Sequence, residues 1–546
     1  MGAHLATVQT TDPQTKSAND AFDGLTSFGW TWGLAAIIAG LAVSFFLFGY
    51  RLIYWRNADM DFMITYSALA MNDGKPQHFL DHTAYLTILS VKSWFQLLHG
   101  IGLLDAYTLS AIPPASDAPA FDAAMTQAVR AGRVLMFLIA IGCILIFAGL
   151  ARRIFRDRRV ALLATVAFAL SGGVAVHVQI LRSELVAACP VIFALMILII
   201  IGRSSSLARP LGIAAAAALC VIGLENKVQA ILLIGTVPLV ILPFGSAKSA
   251  SVAFWNNTRA SWLAATIAVA VALAAAWAAS PLIAAGLDRS LHDAAGFRPL
   301  LFNRFGVYQI ALLVLIGGCM IAYARIWRIS ATETLASLAA LVAGASIALL
   351  LLDVAYNTGN VIAVINPLEK MLAFADTGTS DVANGSSPAA VVLLLLEGLG
   401  SVLARYSFVL HSSSRPTVFL TWLIIPGIVL AWRRGETLAA LQSLALMLAA
   451  IGIDTLAVRR GLKAEYFIFT DPLIVLAGAI LIDAMSDLRF RRWTYGIGTT
   501  LLVLHVVVGQ AEPFKDRFKR SGPESICAWS PHYMPLVRLP WCPEEP

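Results

Sequence analysis

Apolar residues run along this chain in blocks close to the length of a membrane crossing, broken by short polar turns from one end to the other. A helix of about 20 residues covers the ~30 Å of a hydrocarbon core. Backbone N–H and C=O groups find no partner in lipid, so each block must satisfy them internally as a helix. Read this way, spans fall near 30–50, 129–150, 160–177, 185–202, 210–225, 228–244, 261–280, 306–324, 334–353, 417–432, 437–454, 467–485 and 494–509. The two-residue alternation of a membrane β-barrel is missing. The pattern predicts an all-α polytopic membrane protein with about thirteen transmembrane helices.

Three polar stretches between blocks are long: 51–128, 282–304 and 353–416. Within the first, 62–72 and 84–100 are amphipathic and too mixed to cross, which predicts helices lying in the interface plane. The apolar stretch 389–408 is interrupted by Glu397 and Arg405 and reads as an interfacial or re-entrant helix. Residues 1–29 have no signal-peptide pattern and read as a mostly disordered cytoplasmic tail ahead of a transmembrane domain at 30–509. Arginines crowd the short turns at 151–160, 432–434 and 489–492, the bias that marks the cytoplasmic side. The long loops and the tail 510–546 then face outward. In a bacterium this means the inner membrane, with the chemistry on the periplasmic side.

Composition changes this picture little. Hydrophobic residues make up 59% of the chain and charged ones 13%, about half the usual charged share of a soluble domain. A net charge of +7 would suit nucleic acid, but its confinement to the turns excludes that partner. Cys143, Cys189, Cys220 and Cys319 sit in apolar blocks as small core residues. Cys527 and Cys542 lie in the Pro-rich tail and form a disulfide if that tail is exported; otherwise they are two thiols.

Charges are scarce, so those near the outer ends of spans stand out. The first outer loop reads RNADMDFMITYSALAMNDGKPQHFLDHTAY, with Asp59 and Asp61 close behind span one. A carboxylate among apolar residues can act as a general base. Two spaced by one residue can instead hold a divalent cation, or pair with Arg51 or Arg56. Asp81 and His82 contact a ligand, with His78 as a further metal donor, or else Asp81 or Thr83 caps the helix beginning near residue 84. Arg182 and Glu184 stand between spans three and four, and Glu225 and Lys227 between spans five and six. Ionisable groups at such depth mark function; the plain alternatives are a local Arg182–Glu184 pair and a Glu225–Lys227 pair. Before span twelve comes Lys463, Glu465 and Tyr466, either a site element or an interfacial anchor. Arg405, His411 and Arg415 form another basic group.

An acidic pair just after span one, a long first loop and this span arrangement resemble the GT-C superfamily of membrane glycosyltransferases. These include protein O-mannosyltransferases and the aminoarabinose transferases of lipid A. The segment GKPQHFLDHTAY, the Arg182–Glu184 element, the Lys227 turn and the Tyr466 element are each similar to segments of bacterial members. The family usually has a basic residue directly before that tyrosine, where this chain has Glu465. The resemblance implies an inverting enzyme taking a sugar from a polyprenyl phosphate to a lipid, glycan or protein of the cell envelope. Asp59 or Asp61 would be the base, with Asp59 preferred. Lys227, Arg182 and Glu225 would serve the donor phosphate, and Asp81, His82, Tyr85, Glu184 and Tyr466 would contact substrate. No nucleotide-binding motif is present; a divalent cation stays open as cofactor. The rival readings are a transporter or flippase of lipid-linked substrates, a polysaccharide polymerase or ligase with a lipid-diphosphate donor, and a non-catalytic relative acting as a complex subunit.

Overall fold

A computed structural model describes residues 13–75, 84–203, 208–227, 229–245, 253–256, 258–286, 314, 318–356, 388–407, 418–457, 464–485, 491–509, 523–528 and 530–543. Among these residues there are helices and turns and no strand. Seven helices are long and apolar enough to cross a membrane, or eight with one bent pair counted as a single span. Three shorter apolar helices, Ala230–Phe244, Leu420–Arg433 and Gly496–Val508, coincide with further expected spans. Most of the expected span at 306–324 and most of loops 282–304 and 353–416 lie outside the described residues.

Helix α1 (Pro13–Ser44) begins well inside the polar N-terminal stretch expected to be disordered, and ends in a π-turn, Phe45–Gly49. In the first loop, α2 (Met63–Asn72) is buried on every side, so it does not lie in the interface as its mixed sequence suggested. Helix α3 (Tyr85–Gly100) keeps the amphipathic form: Tyr85, Ile88, Val91, Phe95 and Leu98 recur at helical spacing and face the core. Its N-cap is Ala84, in a left-handed conformation with no side-chain cap; the capping candidates Asp81 and Thr83 lie outside the described residues. Helix α4 (Ala118–Ile154) is 37 residues, roughly 55 Å, longer than a bilayer core, so its first turns project beyond the membrane. Asp117 caps it, accepting the Ala120 N–H at 3.2 Å.

The expected third span is broken. Helices α5 (Arg158–Ala169) and α6 (Gly172–Gln179) meet at 57°, with Ser171 capping α6 through the Val174 N–H. Gly173 explains the bend's position: a Cβ there would stand 2.6 Å from the Ile468 nitrogen, so only glycine lets α6 rest on the turn Ala464–Phe469. Helices α7 (Glu184–Arg203) and α8 (Arg209–Asn226) pack equally closely at Gly223, where a Cβ would meet the Ala187 carbonyl at 2.5 Å.

Beyond these come α9 (Ala230–Ile241), α10 (Arg259–Gly286), α11 (Ala331–Tyr356), α12 (Pro388–Ser407), α13 (Val418–Arg433), α14 (Thr437–Ala457), α15 (Asp471–Ala484) and α16 (Arg491–Gly509). Helix α7 packs on α4, α8 and α9, and α15 on α5, α13 and α14, which makes these two the buried centre. Helix α10 touches α11 and exposes Leu263, Leu273 and Trp277, an apolar face suited to lipid.

Helix ends gather at two poles. At one, Arg203 donates to the Ile154 carbonyl at 2.7 Å and to Gln442 at 3.2 Å, and the Asp483 carboxylate accepts the Arg156 and Asp157 N–H groups at 3.1 Å. This pole carries the arginine-rich turn 154–158. The other gathers the end of α1, the first loop, the α6–α7 turn, the end of α8, the turn before α15 and the disulfide Cys527–Cys542.

Candidate functional site

Two ion clusters, both fully buried, occupy the second pole. The first is Asp61 with Arg133, a residue one turn inside the expected span of α4. Asp61 Oδ2 accepts from Arg133 Nε at 2.8 Å and Nη2 at 2.5 Å, and Oδ1 accepts the Leu181 N–H. Arg133 Nη1 also donates to the Gly49 and Leu52 carbonyls at 3.2 and 2.5 Å, and Nη2 to the Ile53 carbonyl at 3.4 Å. Every guanidinium N–H has an acceptor, and the pair ties the end of α1, α4 and the α6–α7 turn into one block. Asp61 is therefore a clasp and not an available base, and its partner is Arg133 rather than Arg51 or Arg56. The Asp59 side chain lies outside the described residues, and with it the expected Asp59–Asp61 cation pair. No group of three or more metal-ligating side chains stands together among the described residues.

The second cluster centres on Glu184, at the start of α7. Arg182 donates to both its oxygens, Nη2 to Oε1 at 2.9 Å and Nε to Oε2 at 3.2 Å. Lys227 Nζ donates to Oε1 at 2.6 Å and stands 5.9 Å from the centre of the Tyr466 ring. His177 Nε2 is 3.6 Å from Oε2, too far for a hydrogen bond, while Nδ1 contacts the Gly173 carbonyl at 2.5 Å. Glu465 reaches Arg182 from the rim at 3.7 Å. Two formal cations thus share one carboxylate inside the cluster. Several buried atoms nearby along the chain have no hydrogen-bond partner: His177 Nε2, Ser183 Oγ, Glu225 Oε2 and both polar atoms of Gln229. Buried polar groups are normally satisfied, so orphans concentrated at 177–184 and 225–229 mark a place where something polar can bind.

The clusters adjoin through the chain, since Leu181, which holds Asp61, precedes Arg182. Asn226 joins the first loop to them. Its Nδ2 donates to the Ser183 carbonyl at 2.8 Å, its Oδ1 accepts from the Thr87 amide and hydroxyl at 3.1 Å, and its carbonyl accepts the Ala84 N–H at 2.9 Å. The start of α3 at Ala84 and Thr87 is therefore pinned beside Lys227.

The structure brings together Asp61, Arg182, Glu184, Lys227 and Tyr466 from the sequence-derived set. Asp59 lies on the backbone of the turn Ala58–Phe62, two residues before the clasp. Glu225 is not the partner of Lys227, whose partner is Glu184, and a carboxylate with an orphaned oxygen does not suit a phosphate. Tyr85, expected to touch substrate, is buried in the hydrophobic core. Asp81, His82, His78, His411, Arg415 and Lys463 lie outside the described residues. Sequence reasoning missed Arg133, Asn226 and Gln229. A lone arginine in an apolar block was a usable signal, because an ionisable group in a span needs a buried partner.

The first loop also carries a tight pair, the Tyr54 hydroxyl donating to Asp122 at 2.5 Å. Burial, and then the Asp122 carboxylate, push this phenol well above its usual range. Comparison with protein-family models, curated proteins and solved structures finds no match to this chain.

Proposed function

We propose that this chain is a GT-C-like inverting glycosyltransferase of a bacterial inner membrane. It moves a sugar from a polyprenyl phosphate to an envelope acceptor on the periplasmic face. The observation that carries the reading is the Glu184 cluster: Arg182 and Lys227 held on a single buried carboxylate, beside orphaned polar atoms, at the pole that also holds the first loop. Buried charges gathered at the two poles, rather than along a path between them, favour an enzyme over a transporter. A disulfide at the same pole fits an oxidising compartment.

In the proposed step Asp59 takes the proton of the acceptor hydroxyl. The acceptor oxygen bonds to the anomeric carbon as the bond from that carbon to the phosphate oxygen breaks, with inversion. The polyprenyl phosphate leaves with the electron pair, and Lys227 and Arg182 neutralise its developing charge. Glu184 orients both cations for this task. The clasp of Asp61 and Arg133 fixes the turn on which Asp59 sits.

The test compares envelope lipids and glycans by mass spectrometry in cells with the wild type, with Asp59→Asn and without the protein. A glycosyl group present only with the wild type is expected, and Asp59→Asn should slow its formation by about 10²–10⁴-fold at unchanged protein level. Identical envelopes in all three would remove the enzymatic reading.

A further inference from the structure

The C-terminal segment beyond α16 has no role in the chemistry above, yet it is built into the same pole. Cys527 and Cys542 are joined, and the Trp541 indole donates to the Pro523 carbonyl at 3.1 Å, closing the segment on itself. Ile526, Met534 and Leu539 are buried in the main hydrophobic core, with Tyr533, Val537 and Trp541 packed against it. An apolar underside fused to the core is what a fixed element has, in contrast to a solvated tail.

Its contacts fall on the first loop at two points. The Leu536 N–H donates to the Tyr66 hydroxyl at 3.3 Å, and the Trp541 ring lies 6.0 Å from the Tyr54 ring. Tyr54 in turn meets Phe62 edge-on at 5.7 Å. Tyr54 and Phe62 flank the turn that carries Asp59, so their contact closes that turn at its base. Trp541 braces Tyr54 from one side and Asp122 holds its hydroxyl from the other.

We infer that residues 523–543 form a disulfide-stapled strap that positions the Asp59 turn, with Trp541 as the positioning residue. The inference rests on the reading of Asp59 as the base for its functional meaning, and on geometry alone for the brace. Aromatic contacts and one backbone hydrogen bond are modest interactions, so the strap acts by removing freedom from the turn, where small misplacements of a reacting group cost rate heavily.

Hydrogen exchange on the full chain in lipid nanodiscs tests it directly. Trp541→Ala, and separately the pair Cys527→Ser with Cys542→Ser, should speed amide exchange across 54–66 at least tenfold while leaving α7 and α15 unchanged. Trp541→Phe, which keeps a ring against Tyr54, should restore protection. Unchanged exchange across 54–66 in both the alanine and the serine variants would overturn the strap. In steady-state transfer assays on the nanodisc-held chain Trp541→Ala should lower kcat more than it raises KM, and Trp541→Phe should recover most of the rate. A wild type without transfer, but with these exchange differences, would overturn the enzymatic reading and leave the strap standing.

Discussion

The Asp61–Arg133 clasp and the Glu184 cluster are made of the same materials and sit next to each other, yet they differ in their unfilled capacity. In the clasp each guanidinium N–H has an acceptor and both carboxylate oxygens are used. In the cluster one carboxylate serves two cations, a histidine nitrogen stops at 3.6 Å, and neighbouring polar atoms are orphaned. Both hold opposite charges in a buried setting, so burial and the presence of charge do not separate structure from function here. Counting hydrogen-bond capacity does: a saturated ion pair binds the fold together, and an unsaturated one keeps polar capacity that a ligand can use.

The comparison breaks most visibly at Arg133. Arg133→Met leaves Asp61 buried without its counter-ion, which should cost about 3–5 kcal/mol and show as a large drop in the detergent melting temperature. Adding Asp61→Leu should restore much of the loss, since removing both charges is far cheaper than removing one. A single variant that melts like the wild type would make the clasp irrelevant to the fold.

Lys227→Met probes the other side. Glu184 keeps Arg182, so the melting penalty should stay near about 2 kcal/mol. Transfer should nevertheless fall by about 10²–10³-fold, as expected when a charge-stabilising group is lost. A larger stability loss than that of Arg133→Met would reverse the assignment of roles.

Glu225→Gln sharpens the meaning of the orphaned atoms. Replacing a buried, incompletely bonded carboxylate by a neutral amide should leave the melting temperature unchanged or raise it by the equivalent of about 1 kcal/mol. A clear drop would mean that Glu225 is already satisfied.

The smallest effect belongs to the first loop's outer edge. Partial burial raises Asp73, but the Ser110 hydroxyl and amide and the Lys75 ammonium outweigh it and hold the carboxyl below its ordinary value. A carboxyl depressed in the folded state contributes stability above its unfolded value and loses it as pH falls through the folded one. Wild-type melting should therefore fall slightly more than that of Asp73→Asn below pH ~4.

Helix class and most span positions were legible because hydropathy is a local property and lipid permits one backbone solution. Arg182, Glu184 and Lys227 were legible as charges that an apolar chain would not keep without reason. Their arrangement was not: the local readings paired Arg182 with Glu184 alone and Glu225 with Lys227, whereas Lys227 crosses to Glu184 on another helix. Helix α2 reads as interfacial from its mixed composition, and what buries it is the packing of α3, α4 and the 3₁₀ turn Leu109–Ala111 around it.

By itself, then, the sequence determined the class of the protein, the rare charges Arg182, Glu184 and Lys227 at span ends and the two cysteines able to join, all of which follow from local chemistry. Tertiary structure decided which aspartate is a clasp, which glutamate gathers the cations and that the disulfide-closed tail lies on the first loop. Those outcomes depend on which groups meet across distant segments, and a buried charge takes its role from the partner that packing supplies.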